Sequence, residues 1–342
     1  MMSKRFAVRF GVAAVVGVLG LPADLSADPV ADFYAGKTIT IHVGMGPGGG
    51  YDITARLLAR HFGRHVPGNP NVIVNNMPGG AGTSAASYIA NATPQNGLAL
   101  GTFIDGLTLT KLIRPEFKFN PEKLVWIGRV APLVGVGAVW HTAKAKSVEE
   151  LKTQPITMAA TAKAQISSLK VLALNDVVGT KIRPIYGYAG ANEYALAMEK
   201  GEVDAVAGIG WETVTTRYGH WLSEKKVNIL YGMGATRFKA YPSAPAMPEF
   251  AKNDNDRKML HVLVAGADVG RAFAAEPGIP AERAAALKSA FNAAMKDPAF
   301  VAEAGRLKVD LDPIPVDEVQ KIVAEMVATP APLIARIRKL LE

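Results

Sequence analysis

The stretch that decides the fold is GMGPGGGYD, residues 44–52, in which five glycines fall within seven positions. It follows TITIHV (38–43), which alternates like a β-strand, and precedes ITARLLARHF (53–62), whose apolar residues share one helical face. A strand, a glycine loop and a helix in this order place free backbone N–H groups at a helix N-terminus. These groups and the positive end of the helix dipole favour a bound anion.

The glycine loop only partly matches a dinucleotide fingerprint. Residues 44–49 satisfy G-x-G-x-x-G, but such a site needs an acidic residue at the end of the second strand to bind ribose. Here that strand ends in Asn75-Asn76, and Pro47 removes one N–H donor from the loop. A Gly-Lys-Ser/Thr phosphate loop is also absent from the sequence. The sequence therefore favours a small anion other than a nucleotide.

Strands, loops and helices alternate along the rest of the chain. VIVNN (72–76) is typical of a second strand, and a second glycine loop, MPGGAGT (77–83), follows it. Further strands are predicted at 98–103 and 133–140, and helices at 84–92, 166–175, 281–296, 316–328 and 332–341. This alternation indicates an α/β fold with parallel strands.

The N-terminus is typical of a secretory signal peptide, residues 1–27. Three basic residues precede FGVAAVVGVLGL (10–21), which is shorter than the roughly 20 residues that a membrane span needs. We expect cleavage after Ala27, with Ala23 as the second choice. A signal anchor that stays in place is the alternative.

The composition of the chain excludes several classes of function. With 342 residues, 49% hydrophobic and 20% charged, it suits a folded protein of two domains. It has no cysteine, which excludes disulfides, a thiol nucleophile, cysteine-bound zinc and a lipid-accepting cysteine. We therefore expect a protein that is free in a bacterial periplasm. The net charge of +8 is spread along the chain, so no nucleic-acid partner is expected.

The sequence does not indicate catalysis or metal binding. His61 and His65 are spaced i, i+4, but HFGRH (61–65) contains a glycine and lacks the glutamate of a His-Glu-x-x-His site. A Gly-x-Ser-x-Gly nucleophile elbow is missing as well. We predict no catalytic residue, no metal and no cofactor. A secreted α/β enzyme acting on a small anionic substrate is the alternative, and it would need an activated nucleophile or base in its cleft.

Five blocks of the chain resemble, in order, the Bug-type solute receptors of tripartite tricarboxylate transporters. The blocks are PGGGYD (47–52), NNMPGGAGTSAASYIANATPQNGLALGTF (75–103), YGYAGANEYALAMEKGEVDAV (186–206), RFKAYPSAPAMPEF (237–250) and EPGIPAERAAALKSAFNAAMKDPAF (276–300). Two departures stand out. The family pattern has Thr or Ser in place of Tyr51, and a glycine-rich loop where this chain reads AATAKAQ (159–165).

The resemblance implies a two-lobe periplasmic binding protein of type II, a Venus flytrap with two mixed or parallel sheets, flanking helices and a hinge. Lobe I would comprise residues 36–136 and 234–342, and lobe II residues 137–233. It also implies a receptor that captures a small organic carboxylate between the lobes, and we expect this receptor to be a monomer. The receptor would deliver this ligand to the membrane components of a tripartite tricarboxylate-type transporter.

Loops that follow the strands of lobe I supply the first set of candidate ligand-binding residues. These are Gly48, Gly49, Gly50, Tyr51, Asp52, Gly79, Gly80, Gly82, Thr83 and Asp105. The glycines would donate backbone N–H groups, and the ring of Tyr51 can stack on a flat ligand. Purely structural roles are the alternatives for three features: Asp52 as a helix N-cap, 79–83 as a plain strand–helix turn, and Asp105 as a turn residue.

Five further candidates lie in lobe II: Thr161, Lys163, Tyr188, Asn192 and Trp211. Thr161 and Lys163 would supply side-chain donors where the family has glycine amides, and Lys163 suits a second carboxylate unless it is merely solvated. Tyr188 and Asn192 lie at the start of a predicted helix. Trp211 follows a strand and either lines the cleft or packs in the core.

Overall fold

The computed structural model describes residues 28–163, 165–188 and 190–342. The predicted signal peptide, residues 1–27, lies outside the described residues. In the described part of the chain, no helix is both long and apolar enough to cross a membrane.

Ten strands form two sheets of five strands each. The strands are β1 (Thr38–Val43), β2 (Asn71–Asn76), β3 (Ala99–Thr102), β4 (Val125–Arg129), β5 (Gly135–Trp140), β6 (Ile156–Ala159), β7 (Ile182–Ile185), β8 (Ala205–Gly210), β9 (Val227–Gly232) and β10 (Ala272–Ala275). The first sheet has the order β2-β1-β3-β10-β4 and the second the order β7-β6-β8-β5-β9.

Helices cover both sheets. They are α1 (Pro29–Tyr34), α2 (Gly50–Phe62), α3 (Thr83–Asn91), α4 (Leu107–Ile113), α5 (Ile166–Val178), α6 (Ala191–Glu199), α7 (Trp211–Arg217), α8 (Gly219–Ser223), α9 (Asp254–Val269), α10 (Ala281–Lys296), α11 (Pro298–Arg306), α12 (Val316–Val327) and α13 (Ala331–Lys339). Short 3₁₀ turns occur at Gly63–His65, Gly80–Gly82, Glu150–Lys152 and Met247–Phe250.

Both sheets are mixed because the chain crosses between them twice. After β4 it passes to the second sheet and forms β5, which runs antiparallel to β8 and β9. After β9 it returns to the first sheet and forms β10, which runs antiparallel to β3 and β4. The other neighbours, such as β1 with β2 and β3, are parallel. The prediction of a two-lobe α/β protein with mixed sheets is confirmed.

The lobe limits predicted from sequence fall near these two crossings, at residues 130–134 and 233–271. Helix α9, which follows the second crossing, also packs against the second sheet's helix α5. Leu260 and Leu263 of α9 are buried in one core with Leu169 and Leu174 of α5. The assignment of whole segments to one lobe or the other therefore stays a prediction.

Helix α2 packs on the first sheet as its apolar pattern predicts. Leu57, Leu58 and Phe62 are fully buried in a core with Ile39 and Ile41 of β1. Burying such a side chain contributes about 1.5–3 kcal/mol to stability. The C-terminal end of α2 also contacts α11, so the helix is held on a second side.

Carboxylates of the α11 region bind the histidines that the sequence left unexplained. His61 Nε2 lies 2.6 Å from Glu303 Oε2, and His65 Nε2 lies 2.9 Å from Asp297 Oδ2. Arg60 Nη2 also contacts Glu303 Oε1, at 2.7 Å. Hydrogen bonding with His61 is the largest influence on the pKa of Glu303 and lowers it, burial opposes this, and Arg60 lowers it further.

The lowered pKa of Glu303 predicts a pH-dependent contribution to stability. A carboxylate with a depressed folded-state pKa stabilises the protein above its unfolded pKa, about 4.3, and this contribution is lost as the pH falls through the folded-state pKa. We expect Glu303→Gln to lower the melting temperature at pH 7, and this difference from the wild type to shrink at pH 3. Thermal unfolding at both pH values measures it, with the exposed Glu342→Gln as control. An equal difference at both pH values would contradict the prediction.

Candidate functional site

A cleft of about 1100 Å³ lies between the two sheets. Its wall is made by loops that follow the C-terminal ends of β1, β3, β6, β7 and β8, together with the crossing segment before β5. Ligands of open α/β sheets bind at this edge, because loops from several strands converge there. The cleft is therefore the candidate site.

The glycine loop between β1 and α2 is held in shape by Asp52. The carboxylate of Asp52 accepts a hydrogen bond from the Gly48 N–H at 2.9 Å, and Gly48 has a left-handed φ of +79° that favours glycine. Arg56 and Asn76 donate further bonds to the same carboxylate. Burial alone would raise the pKa of Asp52, but these hydrogen bonds outweigh it and lower the pKa. Asp52 is thus a buried anchor of the loop, and the N-cap position belongs to Gly49.

Backbone N–H groups at the start of α2 are available to an anion. The first i→i−4 bond of the helix runs from the Ile53 N–H to the Gly49 carbonyl at 2.9 Å. The preceding N–H groups of Gly50, Tyr51 and Asp52 have no partner within the helix. Gly48, Gly49 and Gly50 all line the cleft. The N-terminus of this 13-residue helix can therefore bind a carboxylate.

Arg271 brings a buried positive charge to the same place. It directly precedes β10, is only 4% exposed and lines the cleft. Its guanidinium lies against Gly50, where an added Cβ would be 2.6 Å from Arg271 Nη2. Arg271 Nη2 forms an ion pair with the Glu212 carboxylate of α7. Arg271 Nε has no hydrogen-bond partner in the described part of the chain.

A second ion pair crosses the cleft beside the first. Lys170 Nζ of α5 lies 3.8 Å from Asp105 Oδ2, in the loop after β3. The Lys170 side chain is 6% exposed and that of Asp105 is 13% exposed. Burial lowers the pKa of Lys170, and the negative charges of Asp105 and Asp268 oppose this shift. Each sheet therefore contributes one cation and one carboxylate to the cleft.

Tyr51 connects the glycine loop to the loop that carries Asp105. Its hydroxyl accepts a hydrogen bond from the Asp105 N–H at 2.8 Å, and the residue is 7% exposed. Burial is the main cause that raises the pKa of Tyr51 well above its usual value, and the charge of Asp105 adds to it. The Tyr51 hydroxyl thus holds the Asp105 loop against the glycine loop, while the residue still lines the cleft.

Solved structures share this architecture at low sequence identity. A TctC solute-binding protein from Polaromonas aligns with a TM-score of 0.66 and 20% identity, over 90% of this chain and 98% of that chain. The periplasmic binding protein BugD aligns with a TM-score of 0.63 and 19% identity, over 90% and 98% of the two chains. The fold is that of TctC- and Bug-type solute-binding proteins. A third structure with this Bug-type fold is MatC from Rhodopseudomonas palustris with bound malate, with a TM-score of 0.61, 19% identity and coverage of 90% and 99%.

Curated sequences give the same picture. A UPF0065 protein of Cupriavidus necator is 26% identical over 266 residues, which cover 73% of this chain and 75% of the relative. A UPF0065 protein of Bordetella bronchiseptica is 25% identical over 297 residues, covering 84% and 81%. No family model matches the chain. The resemblance stated from the five sequence blocks is confirmed by these comparisons.

The cleft brings together seven of the fifteen predicted site residues. These are Gly48, Gly49, Gly50, Tyr51, Asp105, Asn192 and Trp211. Asn192 accepts hydrogen bonds from Arg217 and from the Tyr218 hydroxyl. The Trp211 ring packs on Phe238, with 5.2 Å between ring centroids, while still lining the cleft. Their role in ligand binding stays a prediction.

Eight predicted residues are not found in the described wall of this cleft. They are Asp52, Gly79, Gly80, Gly82, Thr83, Thr161, Lys163 and Tyr188. In the second glycine loop, Gly82 packs on Gly44, and Thr83 is buried with its hydroxyl donating to the Gly80 carbonyl at 2.7 Å. In the second sheet, the Thr161 hydroxyl instead contacts Tyr194. The hydroxyl groups of Thr83 and Thr161 are thus hydrogen-bonded within the protein, and the role of the eight residues in ligand binding stays a prediction.

Sequence reasoning missed Arg271, Lys170 and Glu212. A signal exists for Lys170, which stands alone as a charge within ISSLKVLAL (166–174), and a buried lysine requires a partner. Arg271 and Glu212 carry no such signal, because Arg271 directly precedes a short strand and Glu212 is the second residue of a short helix. Across 28–163, 165–188 and 190–342, no group of three or more His, Asp or Glu side chains is arranged to hold a metal ion.

Proposed function

We propose that the protein is a periplasmic solute receptor that captures a small organic carboxylate in the cleft between its two sheets. The observation that carries this is the juxtaposition of the α2 amide groups with the buried Arg271 guanidinium at Gly50. Together they offer hydrogen-bond donors and a full positive charge to one anionic group. MatC, a structure with the same fold, contains malate, a small dicarboxylate.

Delivery of the ligand to a tripartite tricarboxylate-type membrane transporter is the second part of the proposal. It is supported by the resemblance to TctC and BugD, which the fold reinforces. We further propose that the receptor acts as a monomer, binds without turnover and uses no cofactor.

Ligand-induced thermal stabilisation tests the proposed function. The purified protein is mixed with mono-, di- and tricarboxylates and aromatic acids, starting with malate. The neutral amide of each acid serves as the matched control. A ligand at 100 times its Kd stabilises the folded state by about 2.7 kcal/mol, so we expect at least one acid to raise the melting temperature and its amide to have no effect.

Two outcomes would contradict the proposal. The receptor function fails if no carboxylate raises the melting temperature of the wild-type protein. Conversion of a bound acid into a product, measured by chromatography of the mixture, would instead support the alternative of a secreted enzyme acting on a small anionic substrate.

A further inference from the structure

The carboxylate that binds Arg271 in the structure comes from the protein itself. Glu212 lies in the first turn of α7, after β8 of the second sheet, whereas Arg271 precedes β10 of the first sheet. Their ion pair therefore spans the cleft at the point where we place the ligand's anionic group. We propose that Glu212 is an internal competitor, and that the ligand's carboxylate replaces it on Arg271. This inference rests on the proposed function.

Arg271 is the more buried partner of this ion pair, and its backbone is held in place. Its N–H donates to the Ala131 carbonyl at 2.9 Å, and its carbonyl accepts from the Val130 N–H at 3.1 Å. The side chain is 5% exposed and is bounded by Gly50. A buried guanidinium without a counter-charge is strongly destabilising, so some carboxylate must stay close to it.

Glu212 is the movable partner. Its side chain is 29% exposed, against 5% for Arg271, and it lies at the rim of the same cleft. Rotation of the Glu212 side chain into water costs little, because an ionised carboxylate is well solvated there. The carboxylates of Glu212 and the ligand repel each other at close range, so both do not occupy the same edge of the guanidinium. Ligand binding and the Glu212 contact therefore exclude one another.

The competitor defines which ligands are admitted. A ligand that displaces Glu212 must itself offer a full carboxylate, since a neutral amide or ester would leave Arg271 without a counter-charge. The exchange also removes an ion pair between the two sheets and replaces it with contacts through the ligand. Glu212 thus sets a threshold of affinity below which weakly binding anions are rejected.

Glu212→Gln tests this inference, because glutamine keeps the shape of the side chain and removes its charge. With malate as the first probe, followed by the acid that most stabilises the wild type, we expect calorimetry to show a Kd lowered about tenfold. The control is Glu249→Gln, which alters an arginine–glutamate pair of similar geometry outside the cleft, Arg237 Nη2–Glu249 Oε2 at 2.7 Å. This control should leave the Kd unchanged.

A double-mutant cycle separates competition from other effects. Arg271→Gln should weaken binding about tenfold or more, and adding Glu212→Gln to it should no longer tighten binding. The inference is overturned if Glu212→Gln leaves the Kd unchanged or raises it, or if the tightening persists without Arg271. Circular dichroism confirms that each variant is folded.

The same titrations distinguish this inference from the proposed function. If wild type binds a carboxylate and Glu212→Gln does not bind it more tightly, only the competitor inference fails. If neither protein binds any carboxylate, both fail. Binding by Glu212→Gln alone would contradict the proposed function for the wild-type protein, and it would also overturn the inference that a ligand displaces Glu212 from Arg271.

Discussion

Replacing Gly50 with alanine is expected to weaken carboxylate binding about 10- to 100-fold while the protein stays folded. The added Cβ would lie 2.6 Å from Arg271 Nη2, so the guanidinium has to move. Because the clashing atoms are at the end of a flexible side chain, the cost in stability is small. The variant loses ligand affinity, because the Arg271 guanidinium no longer lies beside the α2 amide groups.

Gly46→Ala is the matched control in the same loop. Nothing lies within 4 Å of a Cβ added at Gly46, and its φ is not positive. Calorimetry with the acid that best stabilises the wild type should give an unchanged Kd for this control. Equal affinities of Gly50→Ala and Gly46→Ala would show that the position of Arg271 does not matter for binding.

Local patterns account for most elements of the fold. The alternation of TITIHV predicts a strand that is found at Thr38–Val43, and the predicted helix at 281–296 has the observed limits Ala281–Lys296. Helix α2 begins at Gly50, three residues before its predicted start, because Gly50, Tyr51 and Asp52 form its first turn after the extended N-cap residue Gly49. Periodicity identifies an element whenever one of its faces is buried and the other is solvated.

Strand β10 illustrates what local patterns do not reveal. The four residues of β10, AFAA, are all buried between β3 and β4, so no alternation marks them, and alanine has low strand propensity. Only the return of the chain from the second sheet places β10 there. The position of Arg271 at its start, opposite Gly50, depends on this long-range pairing and could not be predicted.

Tyr51 shows that a recognised motif does not specify the surroundings of each of its side chains. The departure from Thr or Ser in the family pattern suggests a ring that faces the ligand. In the structure the ring is directed into the core of the first sheet, and its hydroxyl binds the Asp105 N–H. The direction of a side chain in the first turn of a helix is set by packing against neighbouring loops, which a single sequence does not report.

Gly266→Ala is expected to destabilise the protein by about 2 kcal/mol or more, with a fall in melting temperature of roughly 4 °C or more. Gly266 lies in α9, where a Cβ would be 2.0 Å from the Asp105 carbonyl oxygen and 2.8 Å from its carbonyl carbon. These are backbone atoms, so no side-chain rotation relieves the clash. Helix α9 must shift, or the loop after β3 must move, and the same loop carries Asp105 into the cleft.

Gly305→Ala provides the contrast, because it is also a glycine within a helix. Nothing lies within 4 Å of a Cβ at Gly305, which is exposed on α11. Alanine has the higher helix propensity, so this variant should gain about 0.5–1 kcal/mol in stability. Thermal unfolding should show a lowered melting temperature for Gly266→Ala and a raised one for Gly305→Ala. If Gly266→Ala were as stable as wild type, α9 would not be in close contact with the Asp105 loop, and the second ion pair of the cleft would lose its support.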